Sequence, residues 1–465
     1  MTQSSTETKP STHFLQPGEP IRPTDVRGEL AALWTLAWPV VMARLGIMVM
    51  GLADAVVVGR YSARELGYHA LAWAPASVAL TVAVGLLMGV QVMTARAIGE
   101  GRRAEAGAVL RRGVVYAFWI GMASTVIIVV GAPPGLRAIG LEPDLAEGAS
   151  QAAVVFSYSL TTYIVSCAFS FWLEALARPM ASMATMWLAN VVNVILLLWL
   201  VPGTSGLPVV GAVAAAWATF GARAVLLISL VVYVALLPEA RELGVFRRAP
   251  RERGLEREQR RIGYGGGASN FFEVSSFASL NVIAGWVGTL SVAAWAVVLN
   301  VIGVVFMVPL GLATAVAVLV GNAYGARDRP GVLRAAYVGF AVTAAFGVAV
   351  SLVVLPFASL LVSAYTTDLA VIAMAAPALA LCSLFFLADG VQVVVAHALR
   401  ARGDVLMPAI THMASYILIM MPLAWWLTIP AGFGLIGMVW AVIIASFIAA
   451  GLLLGRFWIL APKPL

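Results

Sequence analysis

The sequence predicts an all-α polytopic membrane protein, with twelve transmembrane helices in two pseudo-symmetric six-helix lobes. Three observations carry this expectation. Hydrophobic residues fill 62% of the 465 positions and charged residues only 11%, against roughly 45–50% and about 25% in soluble domains. The apolar residues gather into twelve runs, each near the ~20 residues that cross a bilayer. The second six runs repeat the first six.

Taken in order, residues 1–32 are polar and rich in Pro, Ser and Thr, without the basic and apolar regions of a signal peptide. They read as a disordered cytoplasmic tail. Runs at 33–59, 66–95, 106–131, 150–175, 181–201 and 208–237 make an N-lobe, 33–237. Pro39 lies early in the first run, where it permits a kink. The stretch 238–262 contains "RRAPRERGLEREQRR". Its mixed charge reads as a solvated cytoplasmic linker, not a nucleic-acid patch. The C-lobe, 263–465, opens on "GYGGG", a flexible helix entry. Its runs are 263–288, 292–322, 332–362, 370–399, 405–428 and 432–458.

Arginine placement orients these runs. With both termini inside, the inner loops hold Arg96, Arg102, Arg103, Arg111, Arg112, Arg178, Arg327, Arg329, Arg334, Arg400 and Arg402, besides the linker. The outer gaps hold only Arg60, Arg64 and Arg137. Positive residues accumulate on the cytoplasmic side of a membrane protein. An inner (cytoplasmic) cell membrane location is therefore expected.

The repeat is gapless over its first part. Residues 39–99 overlay 265–325, with Gly59 on Gly285, Gly85 on Gly311, Ala97 on Ala323 and Gly99 on Gly325. Further on, "EALARPMASM" parallels "HALRARGDVLMPAI". Six spans per repeat give both lobes the same orientation. Transporters built this way hold substrate between the halves and alternate access by rocking.

Other function classes find little support. Cys167 and Cys382 both lie in apolar runs and offer no disulfide or zinc framework. The four histidines have no catalytic spacing, which speaks against a membrane-embedded enzyme. No filter-like loop suggests a channel.

Charges inside the runs are the candidate functional residues. Glu273 in "FFEVSSF" and Asp389 in "LADGVQ" each lie about ten residues, ~15 Å, from the cytoplasmic end of their spans. Two carboxylates at one depth in one lobe can share Na+, a hard cation, or hold a proton. The structural alternative is a local cap by Ser276 or Ser279. Asn300 is a neutral oxygen ligand for that site or a packing amide. Arg44 and Arg223 are intramembrane arginines, which are costly and usually paired. They either line a substrate cavity, disfavouring cations, or snorkel toward an interface.

The stretches "AWPVVMARLGIMVMGLADAVVVGR", "MGVQVMTARAIGEGRRAEAGAVLRRG", "FFEVSSFASLNVIA", "VLNVIGVVFMVPLGLA" and "LADGVQVVVAHALRARGD" resemble the multidrug and toxic compound extrusion (MATE) family, most closely its NorM-type branch. The resemblance implies two six-helix lobes and export of organic, often cationic, compounds in exchange for Na+ or H+. It assigns cation binding to Glu273 and Asp389, with Asn300 nearby, and a second, N-lobe coupling site to Asp54, Asn190 and Asn193. Asp54 has the alternative of pairing with Arg60. Leu197 stands where many relatives carry Asp or Asn, and Trp295 and Ala296 where they carry a His-Gln pair. Arg44, Arg223 and Trp295 are the cavity candidates. The expected partners are a small organic substrate and membrane lipids, with no nucleic acid and no cofactor beyond the coupling ion; a monomer is expected. A lipid-linked precursor flippase of the same superfamily is the alternative. Arg44 and Arg223 would suit its pyrophosphate, although such flippases often have more than twelve spans.

Overall fold

α-Helices build nearly all of the described architecture. The computed structural model describes residues 18–461, apart from 22, 24, 139–140, 205 and 248–251. The N-lobe contains α1 (Val26–Tyr61), α2 (Ala63–Gly99), α3 (Glu105–Ala138), α4 (Pro143–Ala175), α5 (Pro179–Leu200) and α6 (Gly211–Ala235). The C-lobe contains α7 (Arg253–Val287), α8 (Thr289–Gly325), α9 (Arg329–Ser363), α10 (Leu369–Leu381 continued by Ser383–Ala401), α11 (Leu406–Thr428) and α12 (Gly434–Leu460).

Eleven of the described helices are long and apolar enough to cross a membrane. The twelfth, α7, is the least apolar, because it carries the glycines at 265–267, Asn270, Glu273 and four serines, Ser269, Ser275, Ser276 and Ser279. Gly288, at φ +141°, makes the abrupt turn from α7 into α8, a backbone conformation suited to glycine.

Two expected boundaries move. The helix α1 begins at Val26, not 33, because the Asp25 carboxylate caps it by accepting from the Gly28 amide at 2.9 Å. Residues 1–17 of the expected tail lie outside the described residues. The last ten residues of the expected linker are helical and belong to α7. Arg and Glu are good helix formers, so a mixed-charge helix forms without an apolar period to announce it. Its Glu258 pairs with Arg96 at 2.7 Å, and its Gln259 side chain donates to the Val109 carbonyl and accepts from Arg112.

The lobes meet at the arginine-rich end. A Cβ on Gly99 would stand 2.0 Å from the Asn322 carbonyl oxygen, and one on Gly325 would stand 2.3 Å from the Arg96 carbonyl oxygen. The overlay of 39–99 on 265–325 sends Gly99 to Gly325 and Arg96 to Asn322. One backbone contact thus occurs twice, related by the pseudo-two-fold between lobes. Small residues at such contacts let backbones approach closely. Arg96 strengthens the seam: its Nε and Nη2 donate to the Ala401 carbonyl at the end of α10, at 3.0 and 2.8 Å, and its guanidinium lies over Tyr324. Every residue from Met88 to Gly99 is buried.

Candidate functional site

Two polar clusters interrupt the apolar interior, one in each lobe. In the C-lobe, Asp389 and Gln392 lie one turn apart on α10, a spacing that puts both on one helix face. The Gln392 amide donates to Asp389 at 3.2 Å and to the Tyr416 hydroxyl at 3.0 Å. Tyr416 projects from a π-helical stretch of α11, Met413–Met420; such stretches recur at functional sites. His412, one turn earlier, meets the Tyr416 ring edge-on at 5.7 Å between centroids.

Glu273 on α7 is half-buried and interacts electrostatically with both Asp389 and Arg400. The two carboxylates foreseen for one site therefore stand within electrostatic reach of each other. Gln392 Oε1 is buried and accepts no hydrogen bond. A free neutral oxygen on the residue that holds Asp389 suits a hard cation. Ser276 and Ser279 do not cap Glu273; their hydroxyls donate to Phe272 and Ser275 carbonyls of their own helix.

Asn300 does not join this cluster through a hydrogen bond. Its side chain is exposed and its amide donates to the Ala296 carbonyl one turn back. Trp295 is buried to 1% exposure in the C-lobe core with Leu280, Phe385 and Tyr416, so its ring is a packing element.

The N-lobe cluster is richer in charge. Asp54 on α1 accepts from Asn193 of α5 at 3.1 Å through Oδ1 and from Thr219 of α6 at 2.8 Å through Oδ2. Its hydrogen-bond partners are these two neutral donors, while Arg60 is exposed. Asn190 donates only to the Met186 carbonyl, and the Oδ1 atoms of Asn190 and Asn193 are both buried without a donor. Leu197 is fully buried against Val58 and Ala214.

Neither intramembrane arginine snorkels. Arg44 lies 3.6 Å from Glu174 of α4, and its guanidinium sits over Phe171. The other Glu174 oxygen accepts from Gln91 at 3.2 Å. Arg223 donates to the Ser159 hydroxyl at 2.7 Å and lies over the rings of Phe156 and Tyr163. Asp54 and Arg223 line one hollow, and Arg44 and Glu174 line its neighbour. Ile47, Tyr163, Met186 and Leu226 face both.

Several of these side chains escape a reading of the sequence alone. Glu174 occupies the position that the repeat "EALAR"/"HALRA" sets opposite His397, which was its one available signal. Arg400 counts as a loop arginine by position, yet it is only 2% exposed. Gln392 follows Asp389 by one turn in "LADGVQ", a visible spacing. Tyr416, Thr219 and Ser159 carry no local mark, because long-range packing alone brings them to their partners.

Comparison with known proteins gives the same picture throughout. The MatE family model matches residues 39–199 and 267–426. A probable multidrug resistance protein NorM of Caulobacter vibrioides is 57% identical over 92% of this chain and 91% of its own length. Another of that name, from Mesorhizobium japonicum, is 30% identical over 93% of this chain and 94% of its own. The crystal structure of a eukaryotic MATE transporter, AtDTX14, superposes with a TM-score of 0.86 at 19% identity, covering 94% of this chain and 96% of that one.

Proposed function

This chain belongs to the MatE family, and from that premise we propose that it is a secondary-active multidrug antiporter exporting cationic or amphipathic organic compounds in exchange for Na+ or H+. It is a transporter and not an enzyme. The observation that carries the ion-coupled reading is the placement of Glu273 and Asp389 within electrostatic reach in one lobe, with Asp389 linked to Tyr416 through the Gln392 amide. In this reading the ion enters from the side opposite the arginine-rich end and neutralises the cluster. The C-lobe then rearranges and substrate leaves outward. A ligand shifts such an equilibrium only if it binds the two states differently. In this reading the ion binds the cluster more tightly in one of the two states.

In this reading the arginine-rich end faces the cytoplasm, with both termini on that side and the chain in the inner cell membrane; the charge asymmetry of the loops supports it. The protein acts as a monomer in this reading, each lobe rocking against the other at the Gly99–Asn322 and Gly325–Arg96 contacts. A flippase is not favoured, since the relatives are named for multidrug resistance.

The test is dye flux in proteoliposomes, with a Na+ gradient and a pH gradient imposed separately. One gradient is expected to drive efflux, and Glu273→Gln or Asp389→Asn to abolish it with the protein still in the membrane. Normal export by either variant overturns the site assignment.

A further inference from the structure

We propose that Arg96 is a positioning residue through which the coupling site governs the lobe seam. It ties α7 and α10, the helices that carry Glu273 and Asp389, to the N-lobe, and the seam parts when an ion at that site moves α10 against α7. The inference rests on the ion-coupled reading and gives that site its means of opening the molecule.

Arg96 stands on α2 in the N-lobe, yet three C-lobe helices hold its guanidinium. Nη1 donates to Glu258 of α7 at 2.7 Å. Nε and Nη2 donate to the Ala401 carbonyl of α10 at 3.0 and 2.8 Å, and Nη2 reaches the Arg400 carbonyl at 3.4 Å. Tyr324 of α8 covers one flat face, its ring centre 4.8 Å away. Arg96 itself is only 6% exposed. The last carbonyls of a helix lack partners within it and carry negative partial charge. Arg96 satisfies those of α10 while pairing with a carboxylate of α7.

The repeat shows that this tie belongs to one side. The overlay puts Asn322 where Arg96 stands, and the backbone contacts of Gly99 and Gly325 recur across the pseudo-two-fold. The Asn322 amide instead donates to the Val318 carbonyl of its own helix, at 3.0 Å. The backbone seam is therefore symmetric and the side-chain tie is not. The tie reaches into the lobe that holds Glu273 and Asp389.

The two tied helices are held differently. The start of α7 rests on the α2 backbone: a Cβ on Gly85 would stand 2.6 Å from the Gly266 carbonyl oxygen, and one on Gly89 would stand 2.0 Å from that of Gln259. Small residues make such close contact possible. α10 runs from Asp389 to Ala401 without proline, a lever of about 18 Å. An ion between Asp389 and Glu273 relieves the repulsion of like charges and draws α10 toward α7. The guanidinium is a rigid fork, and hydrogen bonds weaken steeply as their angles bend. A tilt of α10 therefore lifts Ala401 from a fork that Glu258 keeps in place.

Pulsed electron resonance on the full chain in nanodiscs, paired with dye flux in proteoliposomes, makes the test. Spin labels go on Ala104→Cys and Arg327→Cys, exposed positions in the two lobes at the arginine-rich end, with Cys167 and Cys382 replaced by Ser. The distance between them is read with and without saturating Na+, and at high and low pH. With Arg96 intact, one of the two ions is expected to lengthen it. Arg96→Gln is expected to show the longer distance without that ion. It should also pass dye down its own gradient several-fold faster, while losing gradient-driven efflux. A residue that only stabilised the fold would lower both fluxes together. Arg96→Lys, which keeps the charge and loses the fork, should recover part of the ion response. Glu258→Ala tests the same tie at a side chain that is 42% exposed, where folding is little affected. It frees the fork from α7, so the ion concentration for half-maximal lengthening should fall a few-fold. A distance that neither ion alters overturns the proposal, as does an ion response that Arg96→Gln and Glu258→Ala leave unchanged. Gradient-driven flux that survives Arg96→Gln removes the latch and leaves the antiporter. No flux under either gradient with Arg96 intact, and a distance that still follows the ion and Arg96, removes the antiporter and leaves the latch.

Discussion

Arg44 and Glu174 face each other at 3.6 Å inside the N-lobe, 130 residues apart in the chain and both shut away from solvent. Removing one member strands the other as a buried charge, which typically costs about 3–5 kcal/mol. Arg44→Gln and Glu174→Gln should therefore each lower the thermal midpoint in detergent. The double variant should recover much of the loss, because a neutral pair leaves no charge unmatched. Additive losses in this cycle would show that the pair does not interact.

The Asp54 cluster should respond unequally to its members. Thr219→Val removes one hydrogen bond to the carboxylate, worth about 1.5–3 kcal/mol, but keeps the charge, and should leave efflux largely intact. Asp54→Asn is a different change. It offers an amide to two donors, Asn193 and Thr219, of which it can accept from only one side. It also removes the negative charge beside Arg223. Efflux in cells should fall severalfold with surface expression maintained. A Thr219→Val defect as large as that of Asp54→Asn would count against the charge and in favour of packing.

What is legible in the sequence follows a physical line. Composition, apolar run length and arginine asymmetry are local, and they place all twelve helices. The gapless repeat is also local, and the reciprocal contacts of Gly99 and Gly325 follow its register. Pairings across the fold were not legible. Nothing near Glu174 in the chain points to Arg44, and nothing near Thr219 points to Asp54. The charged start of α7 was hidden because a solvated helix has no apolar stripe. Asn300, which bonds its own helix, and Trp295, which lies in the C-lobe core, illustrate a related point: residue type suggests chemistry, but helix rotation decides what a side chain meets.

The reciprocal glycine contact makes a paired prediction. Gly99→Ala would bring its Cβ to 2.0 Å from the Asn322 carbonyl, and Gly325→Ala to 2.3 Å from that of Arg96, far inside contact distance. Backbone cannot yield as a flexible side-chain end does, so both variants should part the lobes at the arginine-rich end. Spin-label distances across that end, on a background with Cys167 and Cys382 replaced by Ser, should lengthen in both. A response in one variant alone would mean that the lobes do not share the seam equally.

The last prediction concerns Gln392, whose amide nitrogen reaches both Asp389 and Tyr416. Its role is to position the carboxylate and to leave Oε1 free as a neutral ligand. Tyr416→Phe removes one anchor and keeps the other, so the amide gains freedom but stays near Asp389. The ion concentration for half-maximal efflux should rise a few-fold, on the scale of about 1 kcal/mol for one neutral hydrogen bond, with the maximal rate little altered. Gln392→Leu removes both anchors and the free oxygen, and should raise that concentration further. Gln392→Glu places another carboxylate beside Asp389. Like charges at close range oppose one another, so cation affinity should increase while release slows, lowering the maximal rate. Initial-rate flux against coupling-ion concentration distinguishes these outcomes. A purely structural Gln392 would lower the rate in all three variants and leave the half-maximal concentration where it was.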